Sequence, residues 1–535
     1  MATTTVTPAS PVSAWAPLRS RIYRTLFLAQ LVSNIGLWMQ TVGSQWFLVE
    51  HGSSATVVAL VQTASLLPTL VLALPAGGLA DLLDRRRLLI VVTTYTALVA
   101  AATTYLAYAD ILSPIMLLGT TFLLGCGSAL SAPAWQAIQP ELVPAEQIPA
   151  ASALGGVTVN GARAIGPALG GVIVAAAGPA AVFALNAASF VVIIAALVWW
   201  RRPAEDKGVD HERLGRSMMT GVHYMQSAPI VRRILLRSAV FAFPASALWA
   251  LLPLASSQHL GFGASGYGMI LGVLGVGAVT GVALFPRLRR RFGANTMLAI
   301  SAVSYALGVV AVAILPIWIV VPALLLSGAA WIGTLTTLNA SIQLSLAHWV
   351  RARGMSIYLL VFMGSQALGS FVWGVIASHA GYAAALVISA VLLVAAGASV
   401  AILPLHAATG TLPRGVSTAW PTPTVIFEPD PEDGPVVISV TYRVALDEQD
   451  AFDHAMSAVG IARRRTGGYS WGLYRDSADA ELRIEQFTAS SWAEFERQHR
   501  DRWTDSDHAL ITDALSHTRD GRTEREQHVF SVRRR

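Results

Sequence analysis

Between residues 25 and 404 the sequence runs through about twelve apolar stretches, and almost every arginine of that region falls in alternate gaps between them. A helix needs about 20 apolar residues to cross roughly 30 Å of hydrocarbon. The stretches, at 25–49, 55–80, 88–108, 111–133, 151–177, 179–200, 234–257, 265–286, 295–315, 317–340, 354–378 and 381–404, are each long enough. The chain has 54% hydrophobic and 13% charged residues and a mean hydropathy of +0.56. A soluble domain carries about a quarter charged residues, so this apolar surface must be covered by lipid. A chain that crosses a bilayer many times is expected to move something through it.

The charge pattern sets the expected orientation. Arg19, Arg21 and Arg24 precede the first stretch. Arg85, Arg86 and Arg87 follow the second, and Arg201, Arg202, Lys207, Arg213, Arg216, Arg232 and Arg233 lie between the sixth and seventh. Arg287, Arg289, Arg290 and Arg291 follow the eighth, and Arg351 and Arg353 the tenth. The intervening gaps hold Glu50, His51, Asp110, His259 and His379 and no Lys or Arg. The positive-inside rule then puts both termini in the cytoplasm. The gap 135–150, with Glu141 and Glu146 and no base, is the one departure. The pI near 9.7 reflects this topology and does not point to nucleic acid. The first apolar run is too long and too rich in Gln and Asn for a cleavable signal, so it is expected to stay as the first helix. Cys126 is the single cysteine, which excludes an intrachain disulfide, and its place between Gly125 and Gly127 suits packing.

The expected organisation is a disordered N-terminus (1–17), a six-helix half (18–200), a cytoplasmic loop (201–233), a second six-helix half (234–405), a Pro/Thr-rich linker (406–434) and a soluble domain (435–535). The halves share local signals, with Leu142–Leu154 before the fifth stretch and Leu346–Tyr358 before the eleventh. Paired six-helix halves are a repeat architecture of secondary transporters. In the last hundred residues, strands are expected at 436–444, 468–475, 482–488 and 527–532, with helices at 447–465, from a capping signature at Ser491–Glu494 towards Arg502, and at 505–517. The order β-α-β-β-α-β is the ferredoxin-like pattern. The fold class is therefore an all-α polytopic membrane protein of twelve spans in two halves, plus a C-terminal α+β ferredoxin-like domain.

Inside the spans few residues carry chemistry. Gln30, Asn34, Trp38, Thr41 and Gln45 recur every three or four residues and share one face of the first span. Facing lipid would strand their amides, so they line a cavity or a helix interface. Arg163 is the strongly basic residue placed well inside a span, where a charge costs about 2.5–3.5 kcal/mol on insertion scales. Two placements are open: facing a central cavity, to hold an anionic cargo or bias a proton site, or snorkelling to the cytoplasmic surface. No Asp or Glu lies deep in any span; Glu50 and Asp81 stand nearest, at ends.

Two motifs bring a family into view. Gly77 to Arg87 reads G-G-L-A-D-L-L-D-R-R-R and resembles the signature loop of the major facilitator superfamily, matching at Gly77, Leu79, Ala80, Asp81, Arg85 and Arg86. Leu82 stands where a base is usual and Asp84 where a glycine is. The resemblance implies a gate in which Gly and Ala let helices approach and Asp81 faces the positive end of a neighbouring helix, such as the start of the eleventh span. Gly166-Pro167-Ala168-Leu169-Gly170-Gly171 resembles the superfamily's antiporter motif, with Ala162 in place of an earlier glycine, and implies an exporter. Ordinary small-residue packing accounts for the same residues, and Pro167 is expected to bend the helix. The arginine usual in the fourth span is absent, with Thr121 in its place. In the superfamily the first, fourth, seventh and tenth spans line the path, which adds Phe241, Trp249, Trp331 and Asn339 as weaker candidates. With Gly36–Trp46 and Arg351–Ser356, residues 17–405 are similar to the enterobactin-exporter-like branch.

The C-terminal residues Tyr469–Asp476 and Ser491–His499 resemble small dimeric α/β-barrel domains of the antibiotic-biosynthesis-monooxygenase type. His499, Trp471 and Trp492 suggest a haem or polyketide site there, yet aromatics at such places are commonly core, and no cofactor motif is present. The reading is thus an exporter in the bacterial plasma membrane, not an enzyme, without cofactors or metal. It moves a siderophore, drug or secondary metabolite, with proton coupling implied by the resemblance alone. The C-terminal domain serves as an accessory or self-association module. The rivals are an importer of the same fold and a membrane-anchored enzyme or sensor acting through that domain. No phosphate-binding G-x-x-x-x-G-K-[ST] motif is present, which argues against direct ATP drive.

Overall fold

The computed structural model describes residues 13, 15–200, 224–406, 409, 417 and 429–530. The expected disordered N-terminus, most of the central loop with Arg201 to Arg216, most of the linker and the end of the last expected strand lie outside the described residues. The chain forms two compact units, one of residues 1–207, 237–337 and 359–404, the other of 208–236, 338–358 and 405–535.

The first unit is helical. Helices α1 (Arg21–Glu50), α2 (Ala55–Leu82), α3 (Arg85–Tyr108), α4 (Pro114–Ile138) and α5 (Ile148–Trp199) precede α6 (Pro229–Gln258), α7 (Ala264–Arg291), α8 (Ala294–Ile314), α9 (Ile317–Ser345), α10 (Arg351–Ala380) and α11 (Tyr382–Ala398), three of which end in the second unit. Among the described residues nine helices are long and apolar enough to cross a membrane. One of them carries two of the expected stretches, because α5 breaks at Gly178, whose φ of 77° is open to glycine but costly for residues with a Cβ. The break sits between the expected fifth and sixth spans, ahead of Pro179, and φ/ψ stay helical at Pro167. N-caps follow the sequence: Ser20, Ser54, Asp84 and Ser113 each accept a backbone N–H of the following helix.

Small residues set the closest helix approaches. A Cβ on Gly166 would lie 2.6 Å from Trp38 Cβ, on Gly170 3.0 Å from Met39 Cα, and on Gly171 2.6 Å from Ala264 O and 2.8 Å from Gly268 Cα. The motif thus packs α5 against α1 on one side and α7 on the other. Without a hydrophobic gradient between helix and lipid, such backbone-to-backbone packing is what holds membrane helices together.

The second unit contains a four-stranded antiparallel sheet of order β2-β3-β1-β4, built from β1 (Val436–Arg443), β2 (Ser470–Arg475), β3 (Leu482–Ala489) and β4 (Arg525–Phe530). Period-2 alternation puts Val436, Ile438, Val440 and Tyr442 on the buried face. Helix α12 (Gln449–Thr466) covers that face with Phe452, Met456, Val459 and Ala462, and α13 (Trp492–Arg497) adds Phe495. Helix α14 (Asp505–Ser516) begins at a reciprocal Thr504/Asp507 capping box. The unit also takes in the ends of α6, α9 and α10, where Trp349 meets Tyr224 edge to face at 5.5 Å, Arg502 lies 4.8 Å over Trp349, and Arg465 lies 5.9 Å over Tyr224.

Candidate functional site

In the middle of the first unit the aromatic residues converge on one cation. Arg163 lies about 22 Å of helix from either end of its half of α5, at 1.5 Å per residue, beyond the reach of a snorkelling side chain. Its guanidinium sits 5.4 Å over the Trp38 ring and 6.0 Å over Trp249. Trp249 is edge-on to Trp331 at 5.7 Å, and Trp331 in turn contacts Phe241, Tyr305 and Phe362 at 5.9, 5.8 and 5.7 Å. The cage therefore gathers Arg163, Trp38, Phe241, Trp249 and Trp331 from four helices. The indole faces offset part of the cost of burying the charge, about 2 kcal/mol for a desolvated cation–π contact. Arg163 Nε and Nη1 are buried without a hydrogen-bond acceptor, as is the indole Nε1 of Trp331.

The rest of the α1 stripe divides by position. Gln30 Nε2 donates to Asn34 Oδ1 at 3.2 Å, leaving Gln30 Oε1 buried without a donor. The Thr41 hydroxyl donates to its own helix at Leu37 O. Gln45 is fully buried and acts as a bridge: Nε2 donates to Trp249 O at 3.1 Å and Oε1 accepts from the Tyr267 hydroxyl at 2.5 Å. The reason lies four residues beyond Trp249, at Pro253 in the interior of α6. Proline has no N–H, so the Trp249 carbonyl loses its helical partner and Gln45 supplies one. Asn339 lies in the second unit, exposed, its Oδ1 accepting from Gln343 Nε2 at 2.8 Å.

Gln45 also joins the two halves of the sequence, and other joints lie at the same end of the helices. Thr56, at the start of α2, bonds Ser378 Oγ at 2.7 Å and Gly374 O at 3.2 Å near the end of α10; Thr63 donates to Ala367 O at 2.9 Å. The Gly171–Gly268 approach belongs with them. All these contacts lie towards the base-free loops with Glu50, His51, His259 and His379. The helices are sealed to one another at that end.

At the arginine-rich end of α2 the loop residues cap helices. Asp84 accepts the Arg87 N–H at 2.8 Å, which accounts for an aspartate where the superfamily motif has glycine. Arg85 pairs with Glu141, and Arg86 donates to Leu197 O and Val198 O at 2.8 and 2.9 Å, satisfying carbonyls in the last turn of α5. A Cβ on Gly77 would meet nothing within 4 Å, and Leu79 is partly exposed. The Asp81 side chain lies outside what the structure describes.

Several polar residues escaped the sequence reading. Arg237 on α6 is buried and caps the end of α11 through Ala396 O, Ser399 O and Leu403 O. Asn186 Nδ2 donates to Gln40 Oε1 at 3.4 Å in the interior. Both side chains reach across more than 140 residues, which single-helix periodicity cannot register.

In the second unit the aromatic and basic candidates form a closed network. Glu485, fully buried, accepts from Arg463 Nε at 3.1 Å, Tyr442 OH at 2.8 Å and Trp471 Nε1 at 2.9 Å. His499 donates from Nδ1 to Phe495 O at 2.9 Å and accepts from Arg463 Nη1 at 3.1 Å through Nε2. Burial, aided by the Arg463 charge, lowers the His499 pKa to about 3, so the ring is neutral. Trp492 packs on Phe495, His528 and Phe530. Glu485, Arg463, Tyr442, Trp471 and His499 are engaged with one another as core.

The comparisons fit this architecture. A staphyloferrin A transporter of Staphylococcus aureus is 23% identical over 352 residues, 66% of this chain and 88% of that protein. An enterobactin exporter of Citrobacter koseri is 26% identical over 304 residues, 56% of this chain and 71% of its own. A crystal structure of the nucleoside transporter NupG, 12% identical, superposes with a TM-score of 0.61 over 72% of this chain and all of its own, which shows the shared fold. The family model for transmembrane secretion effectors matches residues 12–535, through the C-terminal domain as well as the helices. A multi-pass helical unit and a sequence match over nearly the whole length lead to one conclusion: the chain belongs to the transmembrane secretion effector family of the major facilitator superfamily and is a transporter, not an enzyme.

Proposed function

We propose that this chain exports a small amphiphilic molecule, a siderophore or a related secondary metabolite or drug, by alternating access between two six-helix halves. The observation that carries the reading is the combination of a mid-span Arg163–indole cage with cross-half contacts that run from the base-free end of the helices down to the level of the cage. With the arginine-rich loops in the cytoplasm, those contacts form the outer gate and the cage is poised to load from inside. Both termini are then cytoplasmic, and the membrane is the bacterial inner membrane. The reading of twelve spans is supported by the nine long apolar helices, the break of α5 at Gly178, the polar-striped α1 and the shorter α11. The siderophore class is supported by the names of the two relatives, and the export direction by the Gly166–Gly171 motif that packs α5 between α1 and α7.

The C-terminal domain is read as a ferredoxin-like accessory module that can self-associate. Its strand order and antiparallel register fit that fold, and the polar groups around Glu485 are committed to one another. Asp81 is proposed to act at the cytoplasmic gate, beside helix caps made by Arg85 and Arg86.

The test is efflux from inverted membrane vesicles offered a panel of siderophores and dyes. Accumulation that requires the intact chain supports the reading. Uptake only in right-side-out vesicles would replace it with an importer.

A further inference from the structure

Arg163 has an unusual chemical setting for a transport site: donors and π faces surround it, and no acceptor meets its Nε or Nη1. A second buried donor, Trp331 Nε1, is equally unmet. The hydroxyl in the same cluster, Tyr305, donates to Ala245 O at 3.1 Å. A buried cation without a counter-charge is costly. A buried donor left unmade costs about 1–3 kcal/mol, more when charged. These costs persist only if something else supplies the acceptors.

The twelve apolar stretches contain no Asp, Glu, His or Lys at all; their charged residues are Arg163 and Arg237. Arg237 is committed to the carbonyls at the end of α11. By sequence no carboxylate or imidazole falls within those stretches to neutralise Arg163 or to carry a proton beside it; Glu50 and Asp81 lie at their ends.

Resting on the export reading above, we propose that the Arg163 cage binds an anion, a carboxylate or ionised phenol carried on a flat conjugated frame, and that its export is driven by the membrane potential and not by proton exchange. The ligand's oxygens supply the acceptors that Arg163 and Trp331 lack, and its frame lies against the Trp38 and Trp249 rings. The occluded protein is electrically balanced at this site only when loaded, so cargo itself permits the halves to rock. Moving an anion out of a negative interior is downhill. A potential of about 100 mV sustains roughly a fifty-fold gradient of a monovalent anion.

The experiment uses the full chain in liposomes with two flat aromatic probes of opposite charge, carboxyfluorescein and ethidium. A valinomycin potassium potential and a pH gradient are imposed separately. Expected are movement of carboxyfluorescein towards the positive side, at least tenfold faster with the potential than without, a change below twofold from the pH gradient, and no movement of ethidium. Arg163→Ala should lose the movement at least tenfold, and Arg163→Lys should keep part of it. Trp fluorescence and gel filtration report whether each variant is folded. Movement of ethidium, or movement of carboxyfluorescein driven by the pH gradient at clamped potential, or full activity of a folded Arg163→Ala, overturns the anion proposal while leaving export standing. Movement of neither probe by the intact chain counts against the export reading itself.

Discussion

One arginine from each unit is set among aromatic rings, and the two are treated in opposite ways. Arg463 in the C-terminal domain is 1% exposed and meets the Glu485 carboxylate, which is itself held by Tyr442 and Trp471. Arg163 among the membrane helices has two indole rings and no anion. A buried charge whose partners are all internal serves the fold; a buried charge whose partner is missing is kept for something that comes and goes. On the proposed reading the contrast separates an architectural network in the C-terminal domain from a cargo-binding cage among the helices, although each sets an arginine among aromatic rings.

The largest expected effect breaks the closed network. Glu485→Ala strips Arg463 of its counter-charge and should destabilise the C-terminal domain by about 3–5 kcal/mol, measured by urea unfolding of residues 430–535 expressed alone. That fragment is expected to fold, and a disordered one would overturn the domain assignment. By contrast Arg163→Ala should leave the thermal stability of the helical unit unchanged or raised, since it removes an uncompensated charge; a large loss there would mean that Arg163 is structural as well.

Asp81→Asn should cut transport strongly at unchanged membrane insertion, because it removes the gate's charge and preserves its size. Wild-type rates in a well-inserted variant would remove Asp81 from the gate. Next in size is Gln45→Leu, which strands the Trp249 carbonyl above Pro253 and the Tyr267 hydroxyl. It should weaken the seal between the halves by about 1–3 kcal/mol. A cysteine placed at Thr63 should then react faster with an impermeant thiol reagent from outside; unchanged labelling would show that Gln45 does not hold the seal.

The smallest effect is pH dependence in the C-terminal domain. The His499 pKa is lowered to about 3 by burial first and the Arg463 charge second, against about 6.5 in an unfolded chain. Between those values the unfolded state binds the extra proton, so the contribution is complete above about pH 6.5 and is lost as pH falls towards 3. Its slope is at most about 1.4 kcal/mol per pH unit. Glu494 adds in the same direction: burial would raise its pKa, but the Arg502 and Arg497 charges hold it below the usual carboxylate range. Stability that stayed flat from pH 7 to 4 would contradict the neutral-histidine network.

What the sequence made legible follows from the range of the interactions. Apolar length marks helices because a span satisfies its own backbone. Alternation in Val436–Arg443 marks a strand because one face is buried. The division between the stretches 151–177 and 179–200 falls at Gly178, where α5 breaks. The stripe from Gln30 to Gln45 was visible as a face, but its division into an amide pair, an indole contact and a bridge between halves was not, since the partners Trp249 and Tyr267 lie more than 200 residues away. One signal was present and unused: Pro253 marks the carbonyl of Trp249 as lacking its helical donor. Arg237, four residues into the seventh apolar stretch, drew no reading from the sequence, because the helix end it caps follows it by about 160 residues. The Arg463–Glu485 pairing depends on sheet register, which no local pattern fixes.

The central claim is that cargo is handled by the helical unit through Arg163, and that the C-terminal domain contributes no chemistry. Carboxyfluorescein accumulation in inverted membrane vesicles tests it most directly, with the full chain, a chain ending at residue 405 and the Arg163→Ala variant compared at equal membrane levels. The account predicts accumulation by the first two and a loss of at least tenfold in the third. Undiminished accumulation by Arg163→Ala, together with none by the shortened chain, would contradict it.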